Sequence, residues 1–153
     1  MNTLVKKQNH FSSGVFQAES QKSATDAKFW EHLEKVKLYP LTPTKTEILQ
    51  INLGKLCNQV CNHCHVDAGP TRKELMTKEV MIQCLEAAKS KFIHTIDLTG
   101  GAPEMNPNFK WFVSELSKLN KRVIVRSNLT ILTYKKYLEV PQFFRKKKVN
   151  VIS

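Results

Sequence analysis

Leu49-Gln-Ile-Asn-Leu-Gly-Lys-Leu-Cys57-Asn-Gln-Val-Cys61-Asn-His-Cys64-His-Val-Asp-Ala-Gly-Pro70 is the stretch around which this chain of 153 residues is organised. From Glu47 to Leu53 the residues alternate as in a β-strand with one covered face. Three thiols then follow within eight residues, as C-x3-C-x2-C. A four-iron cubane tied to three cysteines keeps one iron open for a substrate or cofactor. Clusters that only pass electrons are tied to four, with spacings such as C-x2-C-x2-C. Soft thiolates select zinc, copper or iron–sulfur over magnesium or calcium.

Working outward, the length suits one domain with a real core. A composition 41% hydrophobic and 24% charged is that of an ordinary globular protein. No apolar run approaches the length of a membrane span, and the first ten residues lack the apolar segment of a signal peptide. A cytoplasmic location is the expectation, and three crowded cysteines then read as metal binding rather than as a disulfide framework. The net charge of +11 would suit nucleic acid. The lysines, however, are spread along the chain, and the one dense run, Arg145 to Lys148, falls where a helix should end and cations complement its dipole. The charge is therefore read as a solvated face.

Residues 1–25 lack periodicity and read as a mobile lead-in. Residues 26–44 read as a helix capped by Asp26, followed by a linker rich in proline. From residue 45 strands alternate with helices. After the cysteine loop, Thr77 is a helix N-cap, and Val80, Met81, Cys84, Leu85 and Ala88 form an apolar face. A second strand runs from Phe92 to Leu98 and ends in Thr99-Gly-Gly-Ala-Pro-Glu104. Asn106 is expected to cap the next helix, with Pro107 at its first position and Phe109, Phe112, Val113, Leu116 and Leu119 buried. A third strand, Arg122 to Arg126, ends in Ser127-Asn128. Broken helix follows over 133–147, and Val149 to Ile152 opens a fourth strand.

This alternation implies a parallel sheet with right-handed crossovers. Every polar or glycine-rich loop then lies at the carboxyl ends of the strands, the face where such sheets bind ligands. Four strands do not close a barrel. The expectation is an N-terminal portion, over residues 45–153, of a (β/α) partial barrel.

Three motifs together resemble a known family. Cys57-x3-Cys61-x2-Cys64 after a first strand, with a Gly-Gly loop after the second, is similar to the radical S-adenosylmethionine superfamily. Residues 49–70, Asp97 to Pro107 and Arg126 to Leu132 resemble, more narrowly, the arsenosugar-biosynthesis proteins of that superfamily. The resemblance implies a [4Fe–4S] cluster on Cys57, Cys61 and Cys64. The open iron would take the amino and carboxylate groups of S-adenosylmethionine, and a one-electron reductant would drive its cleavage to a 5′-deoxyadenosyl radical. It implies that His63 lies near the adenine and that Gly100, Gly101, Ala102, Pro103 and Glu104 meet the methionine amine. In the common superfamily spelling Glu precedes Pro, whereas here Ala precedes it and Glu104 follows. Ser127 and Asn128 match a Thr/Ser-Asn pair that contacts the cofactor. No catalytic acid or base is assigned. The implied reaction is transfer of the adenosyl group to a methylated arsenic compound.

Other readings of the same residues stand beside this one. His65 or His63 could complete a structural Cys3His zinc site in a binding module, Cys61 and Cys64 could form a redox pair, or a related radical enzyme could act on RNA. Cys84 reads as core, His94 as a hydrogen-bonded core residue, and Asp97, two residues from the end of its strand, could face the site but is given no role. Asn58 is read as either a hydrogen-bond donor near the cluster sulfurs or a turn former.

Overall fold

The computed structural model describes residues 25–42 and 45–153. The expected lead-in, Thr25 apart, lies outside the described residues. Contacts divide the chain into two units, with the boundary between Thr44 and Lys45. In the first, helix α1 spans Thr25–Lys35, so Asp26 falls within its first turn rather than at a cap. Trp30 meets Phe29 and Tyr39 edge-on, with ring centroids 5.2 and 5.6 Å away.

The second unit is a four-stranded parallel sheet in the order β1-β2-β3-β4. Its strands are β1 (Ile48–Asn52), β2 (Thr95–Thr99), β3 (Arg122–Arg126) and β4 (Asn150–Ile152). Between them run α2 (Lys78–Ala88), α3 (Phe109–Ser117) and α4 (Val140–Lys147). The fold is the expected α/β one, a parallel sheet with helices between successive strands.

Strand alternation decides which face the helices cover. Ile51, Leu53, Ile96, Leu98, Val123 and Val125 share one face and form a single core with Met81, Phe109, Phe112, Leu116, Val140 and Phe144 from the helices. The opposite face carries Gln50, Asn52, Asp97, Thr99 and Arg126. On the registered pairs, Gln50 sits beside Asp97 and Asn52 beside Thr99.

Local chemistry explains most boundaries. Thr77 caps α2, its hydroxyl accepting the Val80 N–H at 3.4 Å. Met81 and Ala88 are fully buried while Val80 is exposed, so the buried face of α2 is narrower than expected. Cys84 is partly buried against the core, and burial pushes its thiol pKa up. The last turn of α4 carries Arg145, Lys146 and Lys147, and Lys148 closes it in a left-handed conformation.

Three expectations need correction. Strand β2 begins at Thr95, because Ser90 folds the preceding residues into a turn. Its carbonyl accepts the Ile93 N–H and its hydroxyl accepts the Phe92 N–H. Phe92 is exposed, with the ammonium groups of Lys45 and Lys91 over its ring. His94 is likewise exposed, at the end of the sheet opposite the site, and is not a core residue. Asn106 does not cap α3, whose N-cap position is Asn108 without a side-chain bond. The Asn106 amide instead donates to the Leu53 and Met76 carbonyls, at 3.1 and 3.0 Å. Its oxygen accepts the Asn108 N–H. Being 3% exposed, it joins β1 to the chain entering α2.

Candidate cluster and cofactor site

After β1 the backbone goes on pairing through isolated bridges, Gly54 with Leu75 and Leu56 with Gly69. The Leu53 N–H donates to Thr99, Lys55 to Glu74, and Gly69 back to Lys55. This pins both ends of the cysteine loop: the Cys57 N–H donates to the Gly69 carbonyl at 3.1 Å. Within the loop, the Cys64 N–H donates to the Cys61 carbonyl and the Asp67 N–H to the Cys64 carbonyl. The Ala68 N–H reaches the Cys64 sulfur at 3.3 Å. Cys57 is buried, Cys64 half-buried and Cys61 exposed, and none is in a disulfide. Among the described residues, no three His, Cys, Asp or Glu side chains already converge on one point.

The Gly-Gly loop lies directly against the residues that lead into Cys57. The Gly101 N–H donates to the Gly54 carbonyl and the Ala102 N–H to the Leu56 carbonyl, both at 2.9 Å. A Cβ on Gly101 would stand 2.4 Å from the Leu56 oxygen, and one on Gly100 2.7 Å from the Gly54 oxygen. Gly100 also has φ +142°, a conformation that side chains disfavour. These glycines let two backbones touch.

The third loop closes on the same place. The Asn128 amide donates to Asn58 Oδ1 at 2.8 Å and to the Cys57 sulfur at 3.5 Å. Asn58 Nδ2 in turn donates to the Thr130 hydroxyl, and the Ile131 N–H donates to Asn128 Oδ1. The buried Ser127 hydroxyl accepts the Leu129 N–H, next to a left-handed Leu129. Beneath them Cys57, Ala68, Ala102 and Ile131 make a small apolar cluster of their own, with Cys64, Val66 and Met105 against it. His63 and His65 are both exposed on the cysteine loop.

Glu104 begins to resolve the unusual spelling of its loop. It stands in a short 3₁₀ turn, Pro103–Met105, 5% exposed, and neither carboxylate oxygen has a hydrogen-bond partner among the described residues. Burial raises its pKa. A buried carboxylate without a donor is costly unless a ligand supplies one.

The chain matches the family described as the Radical SAM superfamily over residues 51–153. It belongs to the radical SAM superfamily. Members pair S-adenosylmethionine with a [4Fe–4S] cluster, and the donor set here fits one: three cysteine sulfurs, two of them already receiving N–H donors, over an apolar bed. Among curated relatives, a putative peptide biosynthesis protein YydG from Bacillus subtilis is 34% identical over 82 residues. A probable GTP 3′,8-cyclase from Saccharolobus islandicus is 30% identical over 76. These matches cover 52% and 50% of this chain and 26% and 25% of the relatives, so the chain spans about a quarter of each. In fold the radical SAM chain is similar to BtrN crystallised with AdoMet and 2-DOIA, with a TM-score of 0.55 at 20% identity. That similarity covers 71% of this chain and 44% of BtrN. An open form of BtrN gives 0.53 at 18%, covering 72% and 57%.

Of the residues singled out in the sequence, the three cysteines, Gly100 to Glu104, Ser127 and Asn128 share the carboxyl end of this radical SAM sheet. What the sequence leaves unassigned is the polar face below them. Asp97 is almost wholly buried, and Arg126 grips it through Nε at 3.0 and 3.1 Å and through Nη2 at 2.8 Å. Gln50 Nε2 adds a bond at 3.0 Å. The Arg126 hydrogen bonds hold the Asp97 pKa below the ordinary carboxylate range, against its burial. The available signal was parity: Gln50, Asp97 and Arg126 are polar positions on otherwise apolar strands. Among the described residues, no helix is long and apolar enough to cross a membrane.

Proposed function

We propose that Cys57, Cys61 and Cys64 hold a [4Fe–4S] cluster and that this chain carries the cofactor-cleaving chemistry of a radical S-adenosylmethionine enzyme. When bound, the cluster supplies the electron, drawn from an external one-electron reductant, that splits S-adenosylmethionine reductively. The chain's own residues hold and shield. The observation that carries this reading is the seating of the Gly101 and Ala102 amides and the Asn128 side chain on the residues from Gly54 to Cys57. Gly100 to Glu104 would line the methionine end of the cofactor, with the unpartnered Glu104 carboxylate as the acceptor this chain offers to its ammonium group. Ser127 and Asn128 would contact the cofactor, and His63 would lie beside the adenine. The apolar cluster around Ala102 and Ile131 would keep water from the reactive carbon.

The finer proposal is transfer of the 5′-deoxyadenosyl group to a methylated trivalent arsenic compound. Its support is the resemblance of residues 49–70, 97–107 and 126–132 to the arsenosugar-biosynthesis proteins. The decisive experiment is anaerobic reconstitution of the full gene product with iron and sulfide. Electron paramagnetic spectra are then recorded with and without S-adenosylmethionine. A brown chromophore whose reduced spectrum changes with the cofactor is expected, and replacing any one of Cys57, Cys61 or Cys64 with Ala should abolish it. Tight zinc without a chromophore would overturn the cluster proposal. Mass spectrometry for an adenosylated arsenic product tests the substrate: cofactor cleavage without that product removes arsenic and leaves the radical chemistry standing.

A further inference from the structure

Beside the cysteine loop, on the polar face of the sheet, Gln50, Asn52, His65, Thr99 and Arg126 line a cavity of about 270 Å³. We propose that this cavity binds the oxyanion of a reactant, a carboxylate foremost, on the outer edge of the Arg126 guanidinium. Arg126 has five N–H donors. Asp97 engages the Nε and Nη2 nitrogens, which locks the plane of the group and leaves Nη1 without a partner among the described residues. A guanidinium oriented in this way suits planar, two-point recognition of a carboxylate or phosphate.

The neighbouring groups point the same way. Asn52 Oδ1 accepts the Gly54 N–H at 2.9 Å, so its amide nitrogen is left as a donor for the cavity. The Thr99 hydroxyl and the His65 imidazole are further donors, and the lining contains no carboxylate. Gln50 spends its Nε2 on Asp97 and keeps a single acceptor oxygen. Asp97 offsets the Arg126 charge, so recognition rests on directed hydrogen bonds more than on net charge. The volume accommodates a small headgroup rather than a whole nucleotide. That the anion belongs to a reactant rests on the function proposed above, whereas anion binding itself needs no cluster.

The test is arginine modification by phenylglyoxal, read peptide by peptide in the mass spectrometer on the full chain. Sodium acetate or inorganic phosphate is added against chloride of equal ionic strength. Arg122, exposed at the far end of β3, and Arg72, paired with Asp67 and Glu74, serve as internal references. Acetate or phosphate should slow modification of Arg126 by about threefold or more relative to both. The Asn52→Asp variant keeps the acceptor for Gly54 but replaces a donor with a negative charge, so it should lose the protection while Arg122 reacts as before. Equal slowing at all three arginines, no slowing, or protection that survives in Asn52→Asp would overturn the proposal. Repeating the measurement on cluster-loaded protein separates the sources. If acetate still protects when S-adenosylmethionine is bound, the anion is the second substrate's. If S-adenosylmethionine itself protects Arg126 at far lower concentration than acetate, the anion is the methionine carboxylate. Loss of cluster assembly with acetate protection intact would mark failure of the functional reading and not of this one.

Discussion

The side-chain amide of Asn128 donates to the sulfur of Cys57 across 3.5 Å, although 71 residues separate them. In the proposed cluster such a donor would stabilise the reduced, more negative state and so tune the potential at which an electron is delivered. Replacing Asn128 with Ala should lower the midpoint potential of the reconstituted cluster by on the order of 50 mV, equivalent to about 1 kcal/mol of hydrogen bonding. Asn58→Ala breaks the links to Thr130 and Asn128 and leaves that donor in place, so its potential should stay near wild type. Redox titration followed by electron paramagnetic resonance decides; equal potentials for both variants would show that the contact has no electronic role.

Two glycines on either side of the cysteine loop should respond in opposite ways. A Cβ on Gly101 meets the Leu56 carbonyl at 2.4 Å, and neither backbone can yield without parting the loops. Gly101→Ala should therefore cost about 1–3 kcal/mol and lower the iron retained after reconstitution. At Gly69 the nearest atom to a new Cβ is a Val60 methyl at 3.6 Å, an ordinary contact, and Gly69→Ala should be tolerated. Denaturant melts and iron content read both effects.

Glu104 links stability to pH in a direction that can be checked. Burial raises its pKa in the folded chain, so the native state prefers the protonated form. That preference stabilises the fold below the usual glutamate range and is lost as pH rises through the raised folded value. The ligand-free Glu104→Gln protein should consequently melt higher than wild type at pH 7, with the advantage shrinking under acid. Asp97 shifts the other way, its pKa lowered chiefly by Arg126, and the stability it contributes is lost as pH falls through its depressed value. Comparing melting curves of Glu104→Gln and Asp97→Asn from pH 4 to 8 separates the two; a Glu104→Gln protein less stable than wild type at neutral pH would contradict the assigned burial cost.

Removing Asn106 should be costlier than removing a helix cap. Its amide serves two carbonyls on different elements and its oxygen a third group. Asn106→Leu strands those buried groups and should destabilise the chain by about 2–4 kcal/mol, against about 1 kcal/mol for Thr77→Ala at the cap of α2. Urea denaturation of the two variants measures the difference.

Much of this protein is legible from residue order because the relevant interactions are local. The alternation in β1 and β3, the cap at Thr77, the buried stripe of α3 and the C-x3-C-x2-C spacing each depend on neighbours within a turn or two of chain. Those features identify the α/β fold and the soft-ligand loop. Short-range patterns fail where a side chain spends its hydrogen bonds at a distance. Asn106 has the local features of a helix cap and acts as a buried bridge. His94 has the alternation of a strand residue and lies before β2, in solvent. Asp97 and Arg126 become a pair, with Arg126 on the cavity wall, only when β2 lies beside β3. The packing of the Gly101 loop and Asn128 against the approach to Cys57 was likewise decided by tertiary structure, since it depends on the parallel register that brings the strand ends together.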